Sequence, residues 1–207
     1  DIMMPIMNGI TMCKMLKEDV RTSHIPIILL TAKDSLQDKE EGYQVGADSY
    51  LTKPFSATLL HSRINNLLES RKRLAERLNT NTPHHNMDEK RALLADSLNK
   101  LDNEFLEKIN RLIEDRLSSE KIDIGYLADN MCMSKSTLYR KMKALTGLST
   151  NEYVRKIKMQ YAERLLLEGR YNVSEIAFRV GINSVVYFRQ CFKEEFGVLP
   201  SDYLKQP

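Results

Sequence analysis

Two clusters of side chains in this sequence are spaced to meet a polyanion with ordered edges. The first is Lys135, Ser136, Thr137, Arg140 and Lys141; the second is Ser184, Val185, Val186, Arg189, Gln190 and Lys193. At helical spacing Leu138, Met142 and Leu145 share one face of the first segment, and Phe188 and Phe192 share one face of the second. Both clusters are then expected on the outward face. Arg140 suits a bidentate bond to guanine, and Val185 and Val186 suit thymine methyl groups. Arg189 and Gln190 add polar readout, while Lys135, Lys143 and Lys193 suit phosphates. A solvated basic face has the same composition, so the surrounding elements must decide.

Those elements form a pattern. Over 174–180 a short helix is expected, with Ser174 as its cap and Ile176, Ala177 and Val180 on one face. Gly181 suits the positive φ of a tight turn, Asn183–Ser184 opens a second helix, and Gly197 ends it. Helix, glycine turn and helix make a helix-turn-helix, whose second helix lies in a DNA major groove. The pattern occurs twice. Ile124/Val173, Leu127/Ile176, Ala128/Ala177 and Met131/Val180 pair at an offset of 49 residues. Leu138/Phe188, Met142/Phe192, Gly147/Gly197 and Tyr153/Tyr203 pair at an offset of 50. Two copies of one supersecondary unit follow, with one residue inserted in the second turn. Between them a helix over 151–168 is expected, capped by Ser149 or Thr150 and ended by Gly169. At 1.5 Å per residue it is a rod of about 27 Å, set against the roughly 34 Å of one DNA turn.

The residues that carry this pattern resemble the AraC-type DNA-binding domain over 102–204. They include Leu127–Ala128, Met133–Ser134, Leu138–Tyr139–Arg140–Lys141, Ile157, Ala162 and Leu165–Leu166. Val173 to Ala177, Gly181, Tyr187–Phe188, Phe192–Lys193, Phe196–Gly197, Pro200 and Tyr203 complete the match. The resemblance implies one chain with two readers of double-stranded DNA, usually acting as a dimer. Ile182 departs from an aromatic in the family, and Leu204 from an arginine.

The whole chain has 207 residues and a formal net charge of +3. That charge does not announce a nucleic acid by itself, so its location matters more than its sum. Cys13, Cys132 and Cys191 lack paired spacing and read as reduced thiols rather than a disulfide or metal set. The longest apolar run, 25–30, is too short to span a bilayer, and no signal peptide is visible. A cytoplasmic location is expected, with the parent chain either free or anchored in the inner membrane.

Residues 1–70 read as α/β. A helix is expected over 9–17, a buried strand over 25–30, and a helix from Asp34 or Ser35 to Val45. A short strand over 48–51 and a long helix over 56–78 follow. Asp1, Thr31 and Lys53 all fall at strand C-termini, where open α/β sheets gather their chemistry. With Pro5, Gly9, Tyr50 and Pro54 this constellation resembles the second half of a response-regulator receiver domain. The resemblance implies that Asp1 is the phosphoacceptor, Thr31 the switch hydroxyl, Tyr50 the switch aromatic and Lys53 the phosphate-binding lysine. It also implies a cis Lys53–Pro54 peptide. A carboxylate can take a phosphoryl group as a mixed anhydride, an ammonium neutralises the new charge, and a hydroxyl donates to its oxygens. The family's acidic Mg²⁺ pair would precede Asp1, so no cofactor is expected here, and Mg²⁺ only in an intact receiver. By the same reasoning Asp1 is expected to be a loose end residue, and the half-receiver loosely packed, rearranged or paired with another copy.

Residues 71–101 read as a linker, broken at 79–86. His84 and His85 have no further ligands nearby and read as solvated. A first helix of the DNA-binding domain is expected over 102–117. The fold class is therefore mixed: a truncated flavodoxin-like α/β segment over 1–70, then an all-α domain over 102–207. The expected function is a DNA-binding transcriptional regulator at the output of a two-component phosphorelay. The alternative is the C-terminal end of a membrane-anchored hybrid sensor histidine kinase. A histidine kinase and RNA polymerase are the expected protein partners, with a possible homodimer.

Overall fold

The computed structural model describes residues 1–32, 36–79, 99–118 and 122–203. The predicted helix start at 34–35 and the histidines at 84–85 lie outside these residues. The N-terminal segment runs α1 (Gly9–Glu18), β1 (Ile28–Thr31), α2 (Leu36–Gln44), β2 (Ser49–Thr52) and α3 (Ala57–Asn79). β1 and β2 are parallel, with Ile28 opposite Ser49 and Thr31 opposite Thr52. On the other side of β1 the amide of Ile2 donates to the Leu30 carbonyl at 2.9 Å. Ile2, Ile10, Cys13, Ile27, Leu29, Ala47 and Tyr50 form the small core of this segment.

Both strands start later than the apolar pattern predicts, for one reason. The carboxylate of Asp48 accepts from the Ile27 amide at 2.8 Å and from Lys17 Nζ at 2.7 Å. The Ile25 amide is likewise spent on a turn to the Thr22 carbonyl. With the Ile25 and Ile27 amides so engaged, regular pairing begins at Ile28 and Ser49, while the Ile27 carbonyl still accepts from the Asp48 and Ser49 amides. The segment's N-terminus also differs from expectation. Asp1 is not loose: its carboxylate lies 2.6 Å from Lys53 Nζ, and Ile2 is buried. Gly9 makes this possible, because a Cβ there would stand 2.1 Å from the Asp1 carbonyl oxygen.

The remainder is helical: α4 (Lys100–Glu114), α5 (Ile124–Asn130), α6 (Lys135–Thr146), α7 (Thr150–Leu167), α8 (Val173–Arg179), α9 (Val185–Phe196) and α10 (Pro200–Tyr203). α4 opens at an Asn99 cap, before the predicted start, and α8 opens at an Asn172 cap rather than at Ser174. Asn172 wins because Glu175 reaches back to its amide, so two orphan donors are satisfied reciprocally. α7 is the axis. Its Val154 and Ile157 complete a core with Phe105, Ile109, Leu127, Leu138 and Met142. Met159, Ala162, Leu165 and Leu166 complete another with Ile176, Val180, Phe188 and Phe192. The repeat pairs Leu127/Ile176, Leu138/Phe188 and Met142/Phe192 are all buried at 0–1% exposure. α3 of the first segment lies along α6 of the second.

Candidate nucleic-acid interface

Each recognition helix is opened by a serine. Ser134 Oγ accepts from the Thr137 amide at 3.1 Å, and Ser184 Oγ from the Tyr187 amide at 3.3 Å. Each is closed by a left-handed glycine, Gly147 at φ 71° and Gly197 at φ 79°. The caps fix where each helix starts and therefore which side chains sit in its first two turns.

On α6, Lys135, Ser136 and Arg140 are exposed and Thr137 is half-buried. The hydroxyls of Ser136 and Thr137 both lie 2.9 Å from Ser134 Oγ, so they form one hydroxyl cluster at the helix start. Arg140 Nε donates to the Ser136 carbonyl at 3.4 Å, which lays the guanidinium back along the helix. On α9, Val186 is 77% exposed, and Ser184, Arg189, Gln190 and Lys193 are exposed as well. Gln190 donates to Glu194 at 3.0 Å.

Two predicted positions need correction. Val185 is half-buried, packed on the core of the second unit, so only Val186 presents a full isopropyl group. Lys141 does not point outward at all. It is fully buried, and its Nζ lies 2.5 Å from Asp102 Oδ1. Periodicity puts residue 141 at the edge of the apolar face, and Asp102 on α4 pulls the ammonium in. Burial lowers the Lys141 pKa below the ordinary lysine value, and the bond to Asp102 opposes that shift. Conversely, Tyr139 and Tyr187 stand half exposed beside the readers. The spacing singles out neither; both fall off the apolar stripe, which was the available signal.

The two turns are not equivalent. Gly181 turns the second unit at φ 65°, while Cys132 takes the matching place in the first at φ 54°. A side chain in this region costs about 1–2 kcal/mol, partly offset by glycine's greater freedom when unfolded. Cys132→Gly should therefore stabilise the first unit by about 0.5–1 kcal/mol. The thermal unfolding midpoint should rise by one to a few degrees. A fall in that midpoint would contradict the turn geometry.

In the first segment, Asp1, Thr31 and Lys53 are gathered at one end of the two strands. The Lys53 amide donates to the Thr31 carbonyl at 2.6 Å, and Lys53 Nζ holds Asp1. Thr31 and Tyr50 are buried, and the Lys53–Pro54 peptide is cis. Among the described residues no three carboxylate, imidazole or thiol groups converge on a cation position.

Known proteins match both segments. A model described as a response regulator receiver domain matches residues 1–65, and one described as a helix-turn-helix domain matches 127–206. The chain is 36% identical over 203 residues to a Formosa agariphila protein named histidine kinase P4, covering 98% of this chain and 14% of that one. It is 42% identical over 76 residues to the Synechocystis DNA-binding dual master transcriptional regulator RpaA, covering 37% of this chain and 32% of that one. The chain thus spans less than a third of these relatives' lengths. It is 30% identical to the C-terminal domain of AraT, a response regulator from Geobacillus stearothermophilus. That alignment covers 49% of this chain and 84% of that one, at a TM-score of 0.45.

Proposed function

Because this chain carries a response regulator receiver segment followed by an AraC-type helix-turn-helix domain, we propose that it is the output end of a two-component transcriptional regulator. The carrying observation is the pair of serine-capped recognition helices, each with an exposed N-terminal half, fixed to the single rod α7. Such a rod sets two readers on one face of duplex DNA. Arg140, with Lys135, Ser136 and Thr137, reads the first half-site. Val186, Arg189 and Gln190 read the second, and Lys193 holds phosphate. Val185 contributes its exposed edge only.

Asp1 is the phosphoacceptor in this reading, with Lys53 and Thr31 to hold the phosphoryl oxygens and Tyr50 to respond. A histidine kinase supplies the phosphoryl group. Mg²⁺ would neutralise charge in the intact receiver, but the described residues offer no cation cluster, so no step is assigned to it. Phosphorylation would alter pairing of two chains and hence the affinity of the paired domains for DNA. Contact with RNA polymerase would convert occupancy into transcription. All of this belongs in the cytoplasm; among the described residues no helix is long and apolar enough to cross a membrane.

A second reading has its own support. The Formosa match continues through both segments, whereas the RpaA match covers 37% of the chain. That continuity favours a parent in which kinase, receiver and DNA-binding domain share one polypeptide.

The test is base readout. Arg140→Ala should cost about 1–3 kcal/mol on the preferred site and relax preference at one base pair. Lys193→Ala should weaken all sequences alike and flatten the salt dependence. Equal loss on preferred and random duplexes for Arg140→Ala would remove Arg140 from the reading set.

A further inference from the structure

The Lys141 ammonium meets acceptors from both halves of the chain. Asp102 Oδ1 lies at 2.5 Å, the Val20 carbonyl at 2.5 Å and Ser23 Oγ at 2.8 Å. Only Asp102 belongs to the DNA-binding domain. Ser23 also donates to Asp102 Oδ1 at 2.7 Å, and its carbonyl accepts from Asn99 Nδ2 at 3.3 Å. The loop that presents these groups, 19–25, is itself fixed to the receiver segment. Arg71 of α3 donates to the His24 carbonyl and to Asp48 at 3.3 Å, while Lys17 donates to the Ile25 carbonyl at 2.9 Å. Burial, reinforced by Lys141, lowers the His24 pKa to about 4, so near pH 7 His24 brings no further charge to the junction.

The second reader has no such arrangement at the matching place. Fifty residues on from Lys141 stands Cys191, buried in an apolar core with Phe188 and Phe192. A buried ammonium is tolerated only while its acceptors are in place, and losing them forces hydration or movement of the helix that bears it. The docked loop does not cover the reading face, because Lys135, Ser136 and Arg140 remain exposed.

We propose that the receiver segment is a structural part of the first reader alone: loop 19–25 supplies the acceptors that hold Lys141 and so set the orientation of α6. Lys141 is a positioning residue, and the first half-site is the one addressed by the receiver. This deepens the DNA-reading function and rests on it.

Ser23→Arg, in the full 207-residue chain, places a second cation against Lys141. Amide exchange should quicken across 135–146 and stay unchanged across 185–196, which serves as the folding control. On a duplex selected by the wild-type chain from random-sequence DNA, affinity at the α6 half-site should fall about tenfold. The α9 half-site should stay within about twofold. Ser23→Ala, which removes one acceptor without adding a charge, should also quicken α6 exchange in the otherwise wild-type chain. With Lys141→Met and Asp102→Leu combined, no buried cation remains, and adding Ser23→Ala should then leave α6 exchange unchanged. Unaltered α6 exchange, equal loss at both half-sites, an intact footprint or tighter binding would each overturn the proposal. If the wild-type chain selects no sequence, the DNA-reading function fails instead, while the exchange comparison still decides the interface.

Discussion

Asp102→Ala should destabilise the chain by about 3–5 kcal/mol, a loss typical of breaking one half of a buried ion pair. Lys141 has no exposed surface and Asp102 is 2% exposed, so neither charge can turn to water. Alanine would leave the ammonium with the Val20 carbonyl and Ser23 Oγ, dipoles that cannot balance a full charge in that setting. The same change removes an acceptor from Asn99 Nδ2 and from Ser23 Oγ, so three donors lose a partner together. Urea denaturation followed by helical circular dichroism would measure the loss. A change below about 1 kcal/mol would mean that water already reaches Lys141, contrary to its burial.

Proline at Met159 should be comparably damaging, at about 3 kcal/mol or more, and its effect on function should be lopsided. Met159 is 1% exposed, two residues beyond Ile157, the last buried side chain that α7 gives to the first core. Met159 itself begins the contribution to the second. The missing N–H and the ring clash would bend the rod where one unit hands over to the other. Each core keeps most of its own contacts, so each reader persists while their relative placement is lost. Footprinting should show one half-site protected and the other open. Full protection at unchanged affinity would show that α7 does not set the spacing.

The repeat was legible in the sequence because the core positions that make it are local. Leu127, Leu138 and Met142 and their partners Ile176, Phe188 and Phe192 obey helical spacing, and glycines mark both helix ends. Both recognition helices lie where this spacing predicts. Caps were less legible, since Asn172 and Ser174 are both good capping residues and only the reach of Glu175 separates them. The burial of Lys141 was not legible at all. Its partners Asp102, Ser23 and Val20 lie 39, 118 and 121 residues away, and periodicity carries no information over such separations. Helical spacing alone places Lys141 at the edge of the apolar face, where a long cationic side chain is expected to reach out to water; tertiary contact turns it inward. In the first segment, Thr31 and Lys53 could be placed at strand ends by counting. The Asp1–Lys53 ion pair could not, because it depends on the close approach that Gly9 permits.

The junction at loop 19–25 also bears on how such chains can be recombined. Signalling and output units are often treated as interchangeable cassettes, joined wherever a linker allows. Here the seam carries a chemical requirement: whatever precedes the DNA-binding domain must present a hydroxyl and a carbonyl where Ser23 and Val20 now stand. A foreign receiver grafted at the linker, without those two groups, would leave the Lys141 ammonium in the output unit's interior with Asp102 alone of these three acceptors. Successful hybrids should therefore either transplant the loop with the domain or replace Lys141 and Asp102 together by apolar residues. Exchange of parts between relatives would be constrained at this seam, and not by the length of the connecting segment.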